Sequence, residues 1–202
     1  MSDNIKLSGI FYVGAVLLAA ACIQKPKNHS THFTKADSVT ETYLNLKDKM
    51  FETWNLMMRD DNQKIRAMRN LVHELGVTNH ALHEDLKVYE QRINELAESR
   101  YTHESMDNLN VIEEYDFASN ALVSELVSRA EAQPEFAYNT TLQRLVETIR
   151  TADQRVNNYR IEYDRLAAEY NEFIDGNVES LREVENDSSV EKSPLFQMVA
   201  DD

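Results

Sequence analysis

His73, His80 and Glu84 are separated by seven and four residues. On an α-helix this spacing puts all three on one face, and two imidazoles with a carboxylate are acceptable zinc ligands. His83 and Glu84 follow directly, but one helix supplies only part of a site and no converging ligands stand out elsewhere in the chain. There is no HExxH element, and no glutamate lies three residues before a histidine, which removes the zincin and di-iron bundle patterns. Four glycines, at positions 9, 14, 76 and 176, cannot form a GxSxG elbow, a Walker loop or a GxGxxG turn. A single cysteine, Cys22, excludes an internal disulfide and any Cys-rich zinc or iron–sulfur site. The chain therefore reads as a non-enzyme with no cofactor. Metal or small-ligand binding at His73, His80 and Glu84 is the alternative to ordinary solvated or capping histidines.

Cys22 belongs instead to an attachment segment. Residues 7–23, LSGIFYVGAVLLAAACI, carry no charge and would span roughly 25 Å as a helix, marginal against a bilayer core of about 30 Å. Two readings compete. In one, Lys6 is a short n-region, Ile10 to Leu18 an h-region, and Ala19-Ala20-Ala21 the small residues before a lipidated Cys22. This is similar to a bacterial lipoprotein signal, although Ala19 stands where a Leu-like residue is favoured. In the other, the segment stays as a single-pass helix. Lys25, Lys27 and Lys35 then outnumber Lys6 and place the body in the cytoplasm. The extracytoplasmic lipoprotein is favoured here over the single-pass inner-membrane protein, and the second reading stays open.

The elements that must carry these residues are helices. In 202 residues there are only 4 Gly and 3 Pro, too little turn chemistry for a many-stranded sheet. The 21 basic and 35 acidic residues give a net charge of −14, which argues against nucleic acid and favours basic or apolar partners. Residues 24–36, with Pro26 and several Ser, Thr, Asn and His, read as a polar tether. Ser38 with Glu41 forms a candidate capping box. Val39, Tyr43, Leu46, Met50, Trp54 and Met57 then recur at helical spacing. The stripe lapses over Arg59 to Lys64 and resumes at Ile65, Met68, Val72 and Leu75. After the weak helix formers Gly76, Thr78 and Asn79, it continues at Leu82, Leu86, Tyr89, Ile93 and Leu96. Either one kinked rod or two helices fits. A polar stretch from Glu98 to Asn110 predicts a turn, and Ile112, Tyr115, Leu122, Leu126 and Ala130 mark a helix that ends near Pro134.

The longest stripe runs through Leu142, Leu145, Ile149, Ala152, Val156, Tyr159, Tyr163, Leu166, Tyr170 and Phe173, alternating steps of three and four. Such a seam predicts near-antiparallel helix packing. Asp175-Gly176-Asn177 is expected to end this helix with a left-handed residue, followed by a short helix through Val178, Leu181 and Val184. Tyr159, Tyr163 and Tyr170 are expected to fill the core, and Arg160 is positioned to pair with Asp164 four residues on. The acidic tail, residues 185–202, holds one apolar cluster, Pro194 to Val199, expected to dock on the bundle, with service as a peptide ligand as the alternative.

The run from Ala121 to Ile174 resembles the carboxy-terminal half of the LemA family of bacterial membrane-anchored proteins. The likeness rests on Glu131-Ala132-Gln133-Pro134, Asp153-Gln154-Arg155-Val156, Arg160-Ile161-Glu162-Tyr163-Asp164 and Tyr170-Asn171. Weaker matches are Trp54-Asn55, Asn70-Leu71-Val72 and His83-Glu84, while Asp164 replaces a family Asn and the tether is longer than usual. The resemblance implies an all-helical antiparallel bundle behind an amino-terminal anchor, with Pro134, Arg155, Arg160, Tyr163, Tyr170 and Asn171 as its motif residues. It carries over no catalytic residue, and the family's usual topology, with the amino terminus outside, implies the single-pass alternative. The expected protein is an all-α, up-and-down bundle over residues 37–184, anchored to a bacterial membrane through residues 7–23. Its expected role is an interaction or scaffold module that meets protein partners or self-associates.

Overall fold

A computed structural model describes residues 35–80, 83–184 and 190–196. The anchor segment with Cys22, the tether through residue 34, and tail residues 185–189 and 197–202 lie outside the described residues. Within them the chain is all-helical: α1 (Lys35–Thr78), α2 (His83–Glu98), α3 (Leu109–Glu131) and α4 (Thr140–Val184), with single 3-10 turns at His103–Ser105 and Pro134–Ala137. No helix among the described residues is long and apolar enough to cross a membrane.

The side-chain pairs fix the direction of each neighbour. Glu74 meets Asn139 and Lys64 meets Asp153, so α1 and α4 run antiparallel. Arg69 with Asn94 and Asn62 with Arg100 set α2 against α1 in the same way. Arg92 with Glu125 and Asp85 with Arg129 turn α3 against α2, and Glu131 with Arg150 and Asp116 with Arg160 turn α4 against α3. The long α1–α4 pair, each about 66 Å by the rise of 1.5 Å per residue, forms the spine, and α2 and α3 cover it over part of its length.

Each helix buries the stripe that its spacing defines. Tyr43, Leu46, Met50, Met57, Met68, Leu71 and Leu75 of α1 face Leu142, Ile149, Val156, Tyr163, Leu166 and Tyr170 of α4, all in one buried cluster. Ile93 and Leu96 of α2 and Ile112, Tyr115, Leu122 and Leu126 of α3 complete it. Asn139 caps α4: its Oδ1 accepts from the amides of Thr141 and Leu142 at 3.0 and 3.1 Å, filling donors that a helix start leaves open. The Asn139 Nδ2 donates to Glu74 Oε1 at 3.0 Å, so the same cap ties the start of α4 to the end of α1. Pro134 opens the 3-10 turn after α3, where its missing N–H costs no hydrogen bond.

The structure settles four local readings. Helix α1 begins at Lys35, ahead of the Ser38 cap, and Asp37 lies in its first turn, where a carboxylate complements the helix dipole. The lapse over Arg59 to Lys64 is no interruption, because α1 is continuous and Asp60, Asp61 and Lys64 occupy its buried face. One kinked rod across residues 76–82 is excluded, since α1 and α2 are separate helices packed against each other. The break expected at Asp175-Gly176-Asn177 is present as a kink, with Asn177 non-helical (φ −131°, ψ 21°) and a short helical stretch following to Val184, but Gly176 is not the left-handed residue expected there. There the Asn177 Nδ2 donates to the Phe173 carbonyl at 2.9 Å, a side-chain bond that competes with the helical ladder.

Truncating a fully enclosed spine residue should be costly. Leu71→Ala is expected to lose about 2–5 kcal/mol in urea unfolding, whereas Phe117→Ala, at a site 79% exposed, should change stability by less than about 0.5 kcal/mol. Equal small effects would contradict this core.

Candidate functional site

The face that α1 turns toward α4 is charged where the apolar stripe lapses. Asp60 is 1% exposed and accepts from Arg155 Nε at 2.7 Å; Asp61, fully buried, accepts from the Tyr115 hydroxyl at 2.6 Å. Lys64 lies between Asp61 (3.2 Å) and Asp153 (3.1 Å), and Arg100 approaches Asp61 at 3.4 Å from the end of α2. Burying such groups without partners would cost several kcal/mol each. Here each cation in the bundle's waist meets a carboxylate of another helix.

Arg160 closes this network. It does not pair with Asp164, as expected, but forks onto Asp116 of α3 with two bonds of 2.6 Å. Its Nε and Nη2 also donate to the Tyr101 hydroxyl at 3.2 and 2.9 Å. Bidentate geometry makes this a strong pair. Burial opposes the charge on Arg160, but the bonds to Asp116 and the field of Tyr101 more than offset it, so its pKa stands above the usual arginine value. Burial pushes the Tyr101 phenol up to about 12 against the pull of Arg160. Tyr115 is raised by burial and then by the Asp61 carboxylate.

Toward the amino-terminal half of α1 the network gives way to rings. Trp54 stacks on Phe196 (centroids 6.1 Å apart, 14° between planes) and meets Tyr101, His103 and Tyr163 edge-on at 5.4–6.0 Å. The Tyr163 hydroxyl and His103 Nε2 are 3.1 Å apart, and burial, followed by the charge of Asp164, pushes Tyr163 up to about 12. Tyr43 and Tyr170 stack at 5.8 Å.

Phe196 comes from the tail, docked as expected. Residues 190–196 form an extended strap along α4. Asn171 clips it by donating to the Ser193 carbonyl (2.9 Å) and accepting from the Ser193 amide (2.8 Å). Asp164 accepts the Phe196 amide at 2.6 Å, and Lys192 reaches Asp175 at 2.8 Å. Asp164, the departure from the LemA-like pattern, thus serves the strap and not Arg160. Beside the strap an open cavity of about 320 Å³ is walled by Met50, Phe51, Trp54, Tyr163, Tyr170 and Ser193, with Lys47 and His103 as its polar edges.

The other motif residues fall on the same side of the account. Arg155 holds Asp60, and Tyr170 is core. His73 and His80 line a separate open cavity of about 290 Å³ with Glu90, whereas Glu84, which pairs with Lys87 at 2.8 Å, is not part of that lining. Among the described residues no group of three or more His, Cys, Asp or Glu is placed to hold a metal ion. Sequence spacing missed Asp116, Tyr101, His103 and Trp54 as parts of one site. The available signal was Asp60-Asp61 and Lys64 standing where a stripe should continue.

The fold and site together define a helical bundle with a buried ionic waist and an aromatic groove filled by its own tail. No protein-family model, curated protein or solved structure matches the chain, so the likeness to the LemA family rests on the quoted residues.

The tyrosines give the site a pH signature. The pKa values of Tyr101 and Tyr163 are raised from the usual 10 to about 12. The stability that comes from keeping them neutral is therefore complete below pH 10 and is lost as pH rises through about 12. Phenolate absorbance should show Tyr101, Tyr115 and Tyr163 ionising late, with the urea midpoint falling between pH 10 and 12. A midpoint flat across that window would contradict their burial.

Proposed function

We propose that this chain is a LemA-like, membrane-anchored interaction module of the bacterial envelope, without catalysis, whose antiparallel up-and-down bundle is held to the membrane through residues 7–23. The observation that carries the reading is the open aromatic cavity on a stiff helical body. Phe51 is 68% exposed at its rim, and Trp54, Tyr163 and Tyr170 form its wall. Exposed apolar surface rimmed by polar groups is characteristic of protein contact sites. The ionisable groups of the waist support the same reading, because they are engaged with one another across helices: Asp60 with Arg155, Lys64 with Asp153, Asp116 with Arg160. Such pairs fix helix register and leave the open cavity beside the strap as the feature turned toward partners. The net charge of −14 favours a basic or apolar partner.

Attachment favours the lipoprotein form, with the single-pass helix as the alternative. Intact mass of the membrane-extracted chain is expected to begin at an acylated Cys22; a mass beginning at Met1 or Ser2 would indicate the retained helix, and recovery in the aqueous fraction would contradict anchoring. In the same membranes, a photo-crosslinking side chain in place of Phe51 should give a discrete protein adduct and one in place of Phe117 none. Equal labelling at both positions would contradict a partner face at the groove.

A further inference from the structure

The strap shows what kind of molecule its groove accepts. Three features bind it, and none depends on the strap being part of the same chain. Asn171 pairs with both backbone groups of Ser193, as a neighbouring strand would. Asp164 takes the Phe196 amide, again a backbone contact. Phe196, 4% exposed, fills a slot between Trp54, Tyr101 and Tyr163, with the Arg160 guanidinium 5.2 Å from its ring centre. Backbone clips plus an alternate side-chain slot are how extended peptides are recognised in general.

We propose that this groove is a recognition site for an extended segment of a partner protein, carrying a basic residue and, four positions later, an aromatic one in a Lys-Ser-Pro-Leu-Phe-like pattern. The chain's own strap, residues 190–196, is then a built-in competitor that must be displaced. The inference deepens the interaction reading of the groove and rests on it.

Two observations select a foreign segment over a second copy of the chain. The basic position faces Asp175, which Lys192 now engages at 2.8 Å. The whole chain carries −14, so a partner with basic flanks is attracted where another copy is repelled. The strap also leaves the neighbouring cavity of about 320 Å³ unfilled beside Ser193. A partner segment with a larger apolar side chain at that place fills this space against Met50 and Phe51, which gives it the means to compete.

Trp54 is the chain's one tryptophan and stacks on Phe196, so its emission reports the occupant of the slot. In the full chain, S193P removes the amide that Asn171 holds and F196A empties the slot, while every groove residue is kept. The double variant S193P/F196A is expected to show red-shifted Trp54 emission. Adding the synthetic peptide VEKSPLF should restore the emission saturably, with VEKSPLA at least 10-fold weaker. The wild-type chain, its groove already filled, should bind VEKSPLF at least 10-fold more weakly than the double variant does. If the double variant does not fold, F196A alone carries the same comparison. Failure of VEKSPLF to bind a folded variant, or equal binding of VEKSPLA, would overturn the proposal. So would strap-dependent dimerisation of the wild-type chain, which would make the second copy the occupant. The Phe51 crosslink would still stand in any of these cases, so this inference can fail without the broader reading.

Discussion

Arg160 cannot be buried alone. A guanidinium 3% exposed in the middle of a bundle needs its charge answered and its donors filled. Asp116 and the Tyr101 hydroxyl do this from two different parts of the chain. That requirement sets α3 against α4 at one register and draws the segment after α2 into the waist. On α1, Asp60, Asp61 and Lys64 impose the same requirement on Arg155, Asp153, Arg100 and Tyr115. An apolar seam alone would tolerate sliding by a heptad, because one apolar contact is much like the next. Charges that must find named partners do not.

The groove follows from this arrangement. The face of Tyr101 that Arg160 fixes is also a wall of the Phe196 slot, and the guanidinium itself lies 5.2 Å from the Phe196 ring. Tyr163 and Asp164, on the next turn of α4, supply the opposite wall and the acceptor for the Phe196 amide. Positioning of the strap is thus inherited from the ionic waist. The surface proposed to meet partners is held by some of the least exposed charges among the described residues.

The helices were legible in the sequence because periodicity reports burial directly. The α4 seam from Leu142 to Tyr170 was readable, apart from Tyr159, which was expected in the core and is only half-buried, and so was the end of α3 before Pro134. The waist was not, for a physical reason: buried charges look like solvated ones in a linear pattern, and Asp60, Asp61 and Lys64 read as a gap in α1. Arg160 had a carboxylate at the favourable spacing in Asp164, yet the bidentate geometry of Asp116 on another helix is the better partner, and local spacing cannot show that. Asp175-Gly176-Asn177 marked the break in the long helix, which is a kink at Asn177 and not a left-handed glycine stop, and the short stretch beyond it buries Leu181 fully, as its spacing suggested. The docking of Phe196 was foreseen from the apolar cluster of the tail, whereas its slot, assembled from α1, α4 and the turn after α2, needed the fold.

The dependence of the strap on the waist is measured most directly by a double-mutant cycle between Arg160→Lys and Phe196→Ala in the full chain, by urea unfolding followed at Trp54. Lysine keeps the charge but loses the fork onto Asp116 and the planar contact with the ring. The account expects the two substitutions to be coupled by about 1 kcal/mol or more, the double variant losing less than the sum. Additivity within about 0.3 kcal/mol would show that the strap and the waist are independent, and would contradict the account.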